Sequence, residues 1–277
     1  MSTRDTEALK PFAVELARQA CQTVLALEAN ATSEIKPDGS PVTTVDRAVE
    51  AVMRQSIESH HPSHGIVGEE YGDKNPEAEW VWVLDPIDGT KSFIAGLPTY
   101  GVLIGLCRAG KPVLGIIAQP KTREIYLGIS GLGAWLNDTP IRPSAITEIA
   151  EAVTNLSDDE SHDASSIKAF NALRQAARWN LYDGSCLGYG ALAAGCFEIC
   201  LSGIHMNNYD LCALVPVVEG AGASISDWQG QALTLASSGA IVASANDALH
   251  EKVLALLAKS GGSSGGSSGG SSGGSAV

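Results

Sequence analysis

Apolar positions recur at helical spacing through the first sixty residues. Leu9, Phe12, Ala13, Leu16, Ala20, Val24 and Leu27 fall three or four apart, which predicts a helix from about Thr6 to Leu27, and a second is predicted over Val45 to Ile57. The two are expected to pack side by side. Between them, Asp38-Gly-Ser-Pro-Val-Thr-Thr-Val-Asp46 reads as a turn and a helix start, with Thr43 or Thr44 as N-cap and Asp46 in the first turn. The pattern then shortens to strands. His64-Gly-Ile-Val-Gly-Glu69-Glu70 is a brief apolar strand closed by a glycine and adjacent acids, and Trp80-Val-Trp-Val-Leu84 is another, which stops at Asp85-Pro-Ile-Asp-Gly-Thr90. From Tyr100 to Trp135, short strands at Gly101–Cys107, Val113–Ile117, Ile125–Gly128 and Gly133–Trp135 alternate with turns at Ala109-Gly110 and Pro120, an antiparallel meander. Helices over 164–174 and 187–195, strands over 197–201 and 240–244, and a closing helix from Asp247 to Lys259 complete the alternation, and no internal repeat is visible.

Composition permits a large core: 277 residues at 44% hydrophobic content suffice for one big domain or for two lobes sharing a cleft. Few aromatics and many Gly and Ala suit tightly packed α/β layers. A formal charge of −13 excludes nucleic acid and anionic membrane as expected partners, because counterion release needs basic clusters that this chain lacks. The six cysteines, Cys21, Cys107, Cys186, Cys196, Cys200 and Cys212, form no Cys-x-x-Cys pair and read as free core thiols of a reducing cytoplasm. There is no basic region followed by an apolar run at the N-terminus, and no stretch of membrane-spanning length, so a soluble cytoplasmic protein is expected. From Ser260 the chain repeats Gly-Gly-Ser-Ser, a linker composition that cannot bury a core. Residues 260–277 are read as an engineered appendage, which leaves 1–259 as the folded body and raises the expectation of deliberate substitutions within it.

The chemistry concentrates at the Asp85 turn. Pro86 fixes φ and donates no hydrogen bond, while Gly89 permits a backbone that exposes successive N–H groups, so two carboxylates, a hydroxyl and bare N–H groups face one small volume. An isolated turn of this kind is commonplace; the acids at Glu69 and Glu70, Asp46, and the lone Asp210 at the mouth of an apolar helix make it unusual. Gly68-Glu-Glu70, Asp85-Pro-Ile-Asp-Gly-Thr90 and Tyr209-Asp210 before an Ala/Val-rich helix, in that order and over residues 5 to 258, resemble the inositol monophosphatase family. Val83-Leu-Asp-Pro-Ile-Asp-Gly-Thr-Lys-Ser-Phe93 and Tyr209-Asp210 are most similar to its bacterial histidinol-phosphate phosphatase branch.

The resemblance implies an α/β fold, an αβαβα sandwich, with sub-lobes near 1–145 and 146–259. It implies two or three Mg²⁺ ions: one on Glu69, Asp85 and the Ile87 carbonyl, a second on Asp85, Asp88 and Asp210, with Asp85 bridging. Oxygen-only donors suit that hard cation. Thr90 and Asp46, with Glu69, are implied as the catalytic group that orients a metal-activated water, and Asp88, Gly89 and Thr90 as the phosphate cradle. Bound cations would reverse the local sign of an acidic cleft toward a phosphorylated substrate. The resemblance also implies a homodimer.

Two segments depart from the family. The branch commonly shows Gly-Asp-Cys-Tyr where this chain has Gly184-Ser185-Cys186-Leu187, and a Glu seven residues before the late Asp where this chain has Gly203, close to His205. In the family these two segments hold the leaving alcohol, so the resemblance implies that Ser185, Cys186, Leu187, Gly203 and His205 form an altered substrate pocket. Neutral divergence and engineering both account for the change. Lys36 and Lys91 are placed near the cleft or in solvated loops. The expected activity is hydrolysis of a small phosphorylated alcohol resembling histidinol phosphate. The alternatives are an inositol phosphate, sugar phosphate or nucleotide substrate, and, in another class, an inactive scaffold on the same fold.

Overall fold

The computed structural model describes residues 3–261. Helix α1 (Thr3–Leu27) and helix α2 (Thr44–His60) lie together, joined by a small hairpin of β1 (Ser33–Ile35) and β2 (Pro41–Thr43) that periodicity did not reveal. Their apolar faces cover one side of a seven-stranded sheet made of β3 (Gly65–Gly68), β4 (Trp80–Asp88), β5 (Gly101–Arg108), β6 (Lys111–Gln119), β7 (Glu124–Ile129), β8 (Gly133–Leu136) and β9 (Thr139–Pro140), in that order. β3 and β4 are parallel, and every later neighbour is antiparallel, so the expected meander is present.

Strand alternation divides the cores. Trp82 and Leu84 of β4 and Val102, Ile104 and Leu106 of β5 pack under α1 and α2, whereas Val81, Val83 and Leu103 point to the opposite face. That face is covered by α5 (Ser185–Ala193) and α6 (Asn208–Ala221). Beyond them lies a second sheet, in the order β11 (Trp179–Tyr182), β10 (Val153–Leu156), β12 (Ile199–Ser202), β14 (Ile241–Ser244) and β13 (Ser224–Asp227). Its outer face is closed by α4 (Ile167–Ala176) and α7 (Asp247–Gly261) through Phe170, Leu173, Leu249 and Val253. The layers therefore run helix, sheet, helix, sheet, helix.

One close approach fixes the central layer. Gly105, Gly115 and Gly128 are cross-strand neighbours on β5, β6 and β7. A Cβ at Gly115 would stand 2.0 Å from the Ala213 carbonyl oxygen, and one at Gly128 the same distance from that of Pro216. The glycine row lets the α6 backbone settle directly on the sheet, and α6 carries Asp210. The last helix runs to Gly261, so the first two residues of the expected Gly/Ser tail belong to it. The remainder of that expectation, 262–277, lies outside the described residues. Among the described residues no helix is long and apolar enough to cross a membrane, and all six cysteines are free.

Candidate active site

Strand β4 ends in an irregularity. Its pairing with β5 shifts between Asp85 and Asp88, where Pro86 has no N–H to give the ladder. The Ile87 N–H donates to Asp85 Oδ1 at 3.0 Å, closing the turn. Bulges re-aim side chains, and this one delivers both carboxylates to the end of the sheet. Gly89 follows at φ +89°, and a Cβ there would lie 2.9 Å from the Thr99 carbonyl oxygen, so neither the backbone conformation nor the space admits a side chain. Thr90 opens the short helix α3 (Thr90–Ile94). Its hydroxyl lies 3.0 Å from the Ile87 carbonyl and 3.4 Å from Asp46 Oδ1, two acceptors for one proton.

Asp46 is held by the start of α2. The Thr43 N–H donates to Asp46 Oδ2 at 2.9 Å, the Thr43 hydroxyl donates to the same oxygen, and that hydroxyl accepts from the Val45 N–H at 3.1 Å. The N-cap is thus Thr43, in a reciprocal capping box. Burial pushes the Asp46 carboxyl above its ordinary range, against the hydrogen bonds from Thr43.

The remaining acids come from two other elements. Glu69 follows β3, and Lys36 from the β1–β2 turn bridges it to Glu70, with Nζ at 2.8 Å and 2.7 Å from the two carboxylates. Asp210 occupies the first turn of α6, where its Oδ2 accepts the Asn207 N–H at 2.6 Å. One carboxylate oxygen from each of Asp85, Asp88 and Asp210 lies within 4.8 Å of the others. Burial, then the charges of Glu69, Asp88 and Asp210, hold Asp85 well above the usual carboxylate range. Asp210 is raised by burial and by Asp88, and Glu69 by burial with Lys36 opposing. Asp88 is tied to the far half of the molecule: the Ser185 hydroxyl and, at 2.7 Å, the Cys186 N–H both donate to its Oδ2.

This donor set fits hard divalent cations. It is all oxygen, contains no imidazole or thiolate, and packs three carboxylates at mutual distances where Coulomb repulsion in a buried site is severe. Glu69 has Lys36 as a counter-charge. Asp85 and Asp210 have no cation of the protein paired with them among the described residues.

A cavity of about 660 Å³ opens over the cluster. One wall is Glu69 with residues 88–92 at the end of the first sheet, and the other is residues 155–158 and 182–185 with Ser202, Gly203, His205 and Met206 at the end of the second. Glu69, Asp88, Gly89, Thr90 and Asp210 line it, as do Ser185, Gly203 and His205.

Cys186 and Leu187 do not line it, and neither do Asp46, Asp85 and Ile87, which lie behind its surface. The first turn of α5 shows Ser185 to the cleft and rotates the next two residues into the core, where the Cys186 sulfur sits against Gly101 and Leu187 packs between the sheets. Gly203 lines the cavity without leaving a gap, since a Cβ there would meet the Ser161 carbonyl oxygen at 2.0 Å. Sequence reasoning missed Asn155, Ser157, Asp158 and Asp183. The polar Asn155 inside Val153-Thr-Asn-Leu156 and the Asp183-Gly184 turn were the available signals, but the strands beside them, β10 and β11, had not been recognised.

The family model described as the inositol monophosphatase family matches residues 5–261. The chain is 41% identical over 214 residues to the chloroplastic bifunctional phosphatase IMPL2 of Arabidopsis thaliana, spanning 76% of this chain but 62% of that protein. It is 34% identical over 250 residues to a histidinol-phosphatase of Chlorobaculum parvum, spanning 89% and 95% of the two chains. A solved inositol monophosphatase from Zymomonas mobilis matches with a TM-score of 0.82 at 34% identity, covering 93% of this chain and 99% of that one.

Proposed function

The chain belongs to the inositol monophosphatase family, and on that premise we propose that it is a Mg²⁺-dependent phosphomonoesterase acting on a small phosphorylated alcohol of the histidinol phosphate type. The observation that carries this reading is the convergence of Asp85, Asp88 and Asp210, with Glu69 beside Asp85; Glu69, Asp88, Asp210 and Thr90 line one cleft, and the buried Asp46 stands behind Thr90. Glu69, Asp85, Asp88, Asp210 and the Ile87 carbonyl would hold two or three divalent cations. When bound, such cations neutralise phosphoryl oxygens and make water a better nucleophile at neutral pH.

The chain's own groups do the rest. Thr90 offers its hydroxyl oxygen to a water proton while Asp46, buried and capped by Thr43, takes the Thr90 proton as hydrogen-bond partner and fixes the hydroxyl rotor. Backbone N–H groups at Gly89 and Thr90 would bind phosphate oxygens where negative charge develops. Asp88, held by α5, ties the first-sheet wall to the second.

A histidinol-type alcohol is supported by the 34% identical histidinol-phosphatase and by charge. Although Ser185 and Gly203 carry none, Asp158 and Asp183 place two carboxylates on the same cavity wall, a suitable counter-charge for an amine. We extend the proposal to a cytoplasmic homodimer with two sub-lobes meeting at this cleft. Phosphate release measured across histidinol phosphate, an inositol phosphate, a sugar phosphate and a nucleotide, with Mg²⁺ and with chelator, tests the reading. Release is expected to be highest on the amine-bearing ester, abolished by chelator and by Asp88→Asn. No release on any ester by folded, Mg²⁺-loaded protein would overturn it.

A further inference from the structure

His162 has no part in the chemistry above, yet it is bonded directly to the cleft. Its Nε2 lies 3.0 Å from the hydroxyl oxygen of Ser157, and Ser157 follows the end of β10 and lines the cavity on the wall opposite Gly89 and Thr90. The backbone on both sides is fixed: the Ser157 N–H donates to the Leu201 carbonyl at 3.0 Å, and the His162 N–H is 3.3 Å from the Asp159 carbonyl. The imidazole is clamped between rings, 4.4 Å from Phe170 and 5.7 Å from Trp228 by centroid. Its other nitrogen, Nδ1, is buried and has no hydrogen-bond partner.

That orphan decides the tautomer. Burial favours the neutral ring, which carries one proton. If the proton were on Nδ1, a buried N–H would be left without an acceptor, a rarer and costlier state than a bare acceptor nitrogen. The proton therefore belongs on Nε2, where it is donated to Ser157 Oγ. With that oxygen engaged as acceptor, the Ser157 hydroxyl has its own proton free to donate into the cavity.

We infer that Ser157 is a specificity-determining hydrogen-bond donor to the leaving alcohol, with His162 as the positioning residue that orients it. The phosphate end of the ester belongs on the Gly89–Thr90 wall, so the donor on the opposite wall meets the alcohol. It selects esters whose alcohol presents an acceptor atom, such as a hydroxyl oxygen or an unprotonated ring nitrogen, over plain alkyl or aryl phosphates. This rests on the proposed reading of the cleft as a phosphomonoester site.

The test pairs Ser157→Ala with two His162 variants on two substrates: an ester with polar groups on its alcohol, and phenyl phosphate, which has none. Ser157→Ala should raise KM for the polar ester by about three- to tenfold relative to KM for phenyl phosphate, the loss of one neutral hydrogen bond. His162→Phe should show the same KM effect, and His162→Gln, which restores a side-chain N–H donor, should recover most of it. Nitrogen-15 spectra of the histidines in the unmodified protein should show His162 protonated at Nε2 and bare at Nδ1. A Ser157→Ala enzyme whose KM values on the two esters keep their original ratio, or a spectrum with the proton on Nδ1, overturns the inference. If the variants fail to fold, the spectrum alone decides. Should no ester be hydrolysed by the unmodified protein, the reading of the cleft fails, while the spectrum still decides the tautomer.

Discussion

At the scale of single residues, the proposed cation site makes its sharpest demand on the charge of Asp85. Asp85 is buried at 2% exposure and touches the fields of three other carboxylates. Asp85→Asn should lower phosphate release by several orders of magnitude, each tenfold being about 1.4 kcal/mol of barrier, because cation binding and charge stabilisation fail together. The check is single-turnover phosphate release at saturating Mg²⁺, and a loss under about tenfold would remove Asp85 from the centre of the site. Residues of this kind were legible because Pro86, Gly89 and the paired acids form a local signature with a chemical reason. Ser157 and Asp183 were not, since a serine after a short strand and an aspartate before a glycine look the same wherever the chain happens to fold. Cys186 and Leu187 face away from the cavity for a related reason: the apolar pattern starts this helix at 187 and not at Ser185, and one residue of helical phase separates the cleft from the core.

At the scale of elements, the first half of the chain was readable and the second much less so. The meander declared itself because its strands alternate with turn residues, and α1 and α2 because their apolar stripes are long. β10 (Val-Thr-Asn-Leu) and β13 (Ser-Ile-Ser-Asp) are half polar and β11 is a largely exposed edge, whereas the equally short β12 and β14 show apolar runs. The glycine row under α6 was equally invisible, as it exists only in cross-strand register. Its consequence is testable. Gly115→Ala would push a methyl group into the Ala213 carbonyl, costing about 1–3 kcal/mol of stability as overpacking in a dense core does, and would lift α6 with Asp210 away from Asp85. Denaturant unfolding should show the loss, and the concentration of Mg²⁺ needed for half-maximal activity should rise. A second element-level device is His250 on α7, nearly buried, with Nε2 2.8 Å from Ser226 Oγ on β13 and Nδ1 3.1 Å from Ser244 Oγ on β14. Burial lowers its pKa, with Asp247 opposing, so the folded protein prefers the neutral ring. Its stabilising contribution is complete above the unfolded value of about 6.5 and is lost as pH falls from there through the lower folded value. Replacing His250 with Gln should flatten the fall in Tm as pH drops below about 6.5, where the unfolded chain begins to take up the proton that the folded ring refuses; an unchanged slope would assign the acid sensitivity to other groups.

At the scale of the whole molecule, the cleft is the seam where two sheets meet, and the acids that converge on it arrive from α2, β3, β4 and α6, separated by up to 164 residues of chain between Asp46 and Asp210. Folding must therefore bring like charges together in a poorly solvated place. Burying unpaired charge is costly, so without cations the seam is a source of instability, whereas the layered cores on either side of it are apolar and continuous. A cation that binds this cluster and has little affinity for the unfolded chain stabilises the native state by mass action, about 2.7 kcal/mol at a hundred times its dissociation constant. Adding Mg²⁺ should raise Tm, chelator should reverse the rise, and monovalent salt at equal ionic strength should reproduce little of it, because buried pairs are weakly screened. Asp85→Asn makes the argument sharper. Removing one carboxylate relieves the repulsion, so the metal-free variant should melt above the metal-free parent, yet gain less from Mg²⁺ because a ligand has gone. A parent whose Tm ignores Mg²⁺, or a variant that melts lower without metal and gains as much with it, would mean that these acids are held by the fold for a purpose other than binding cations.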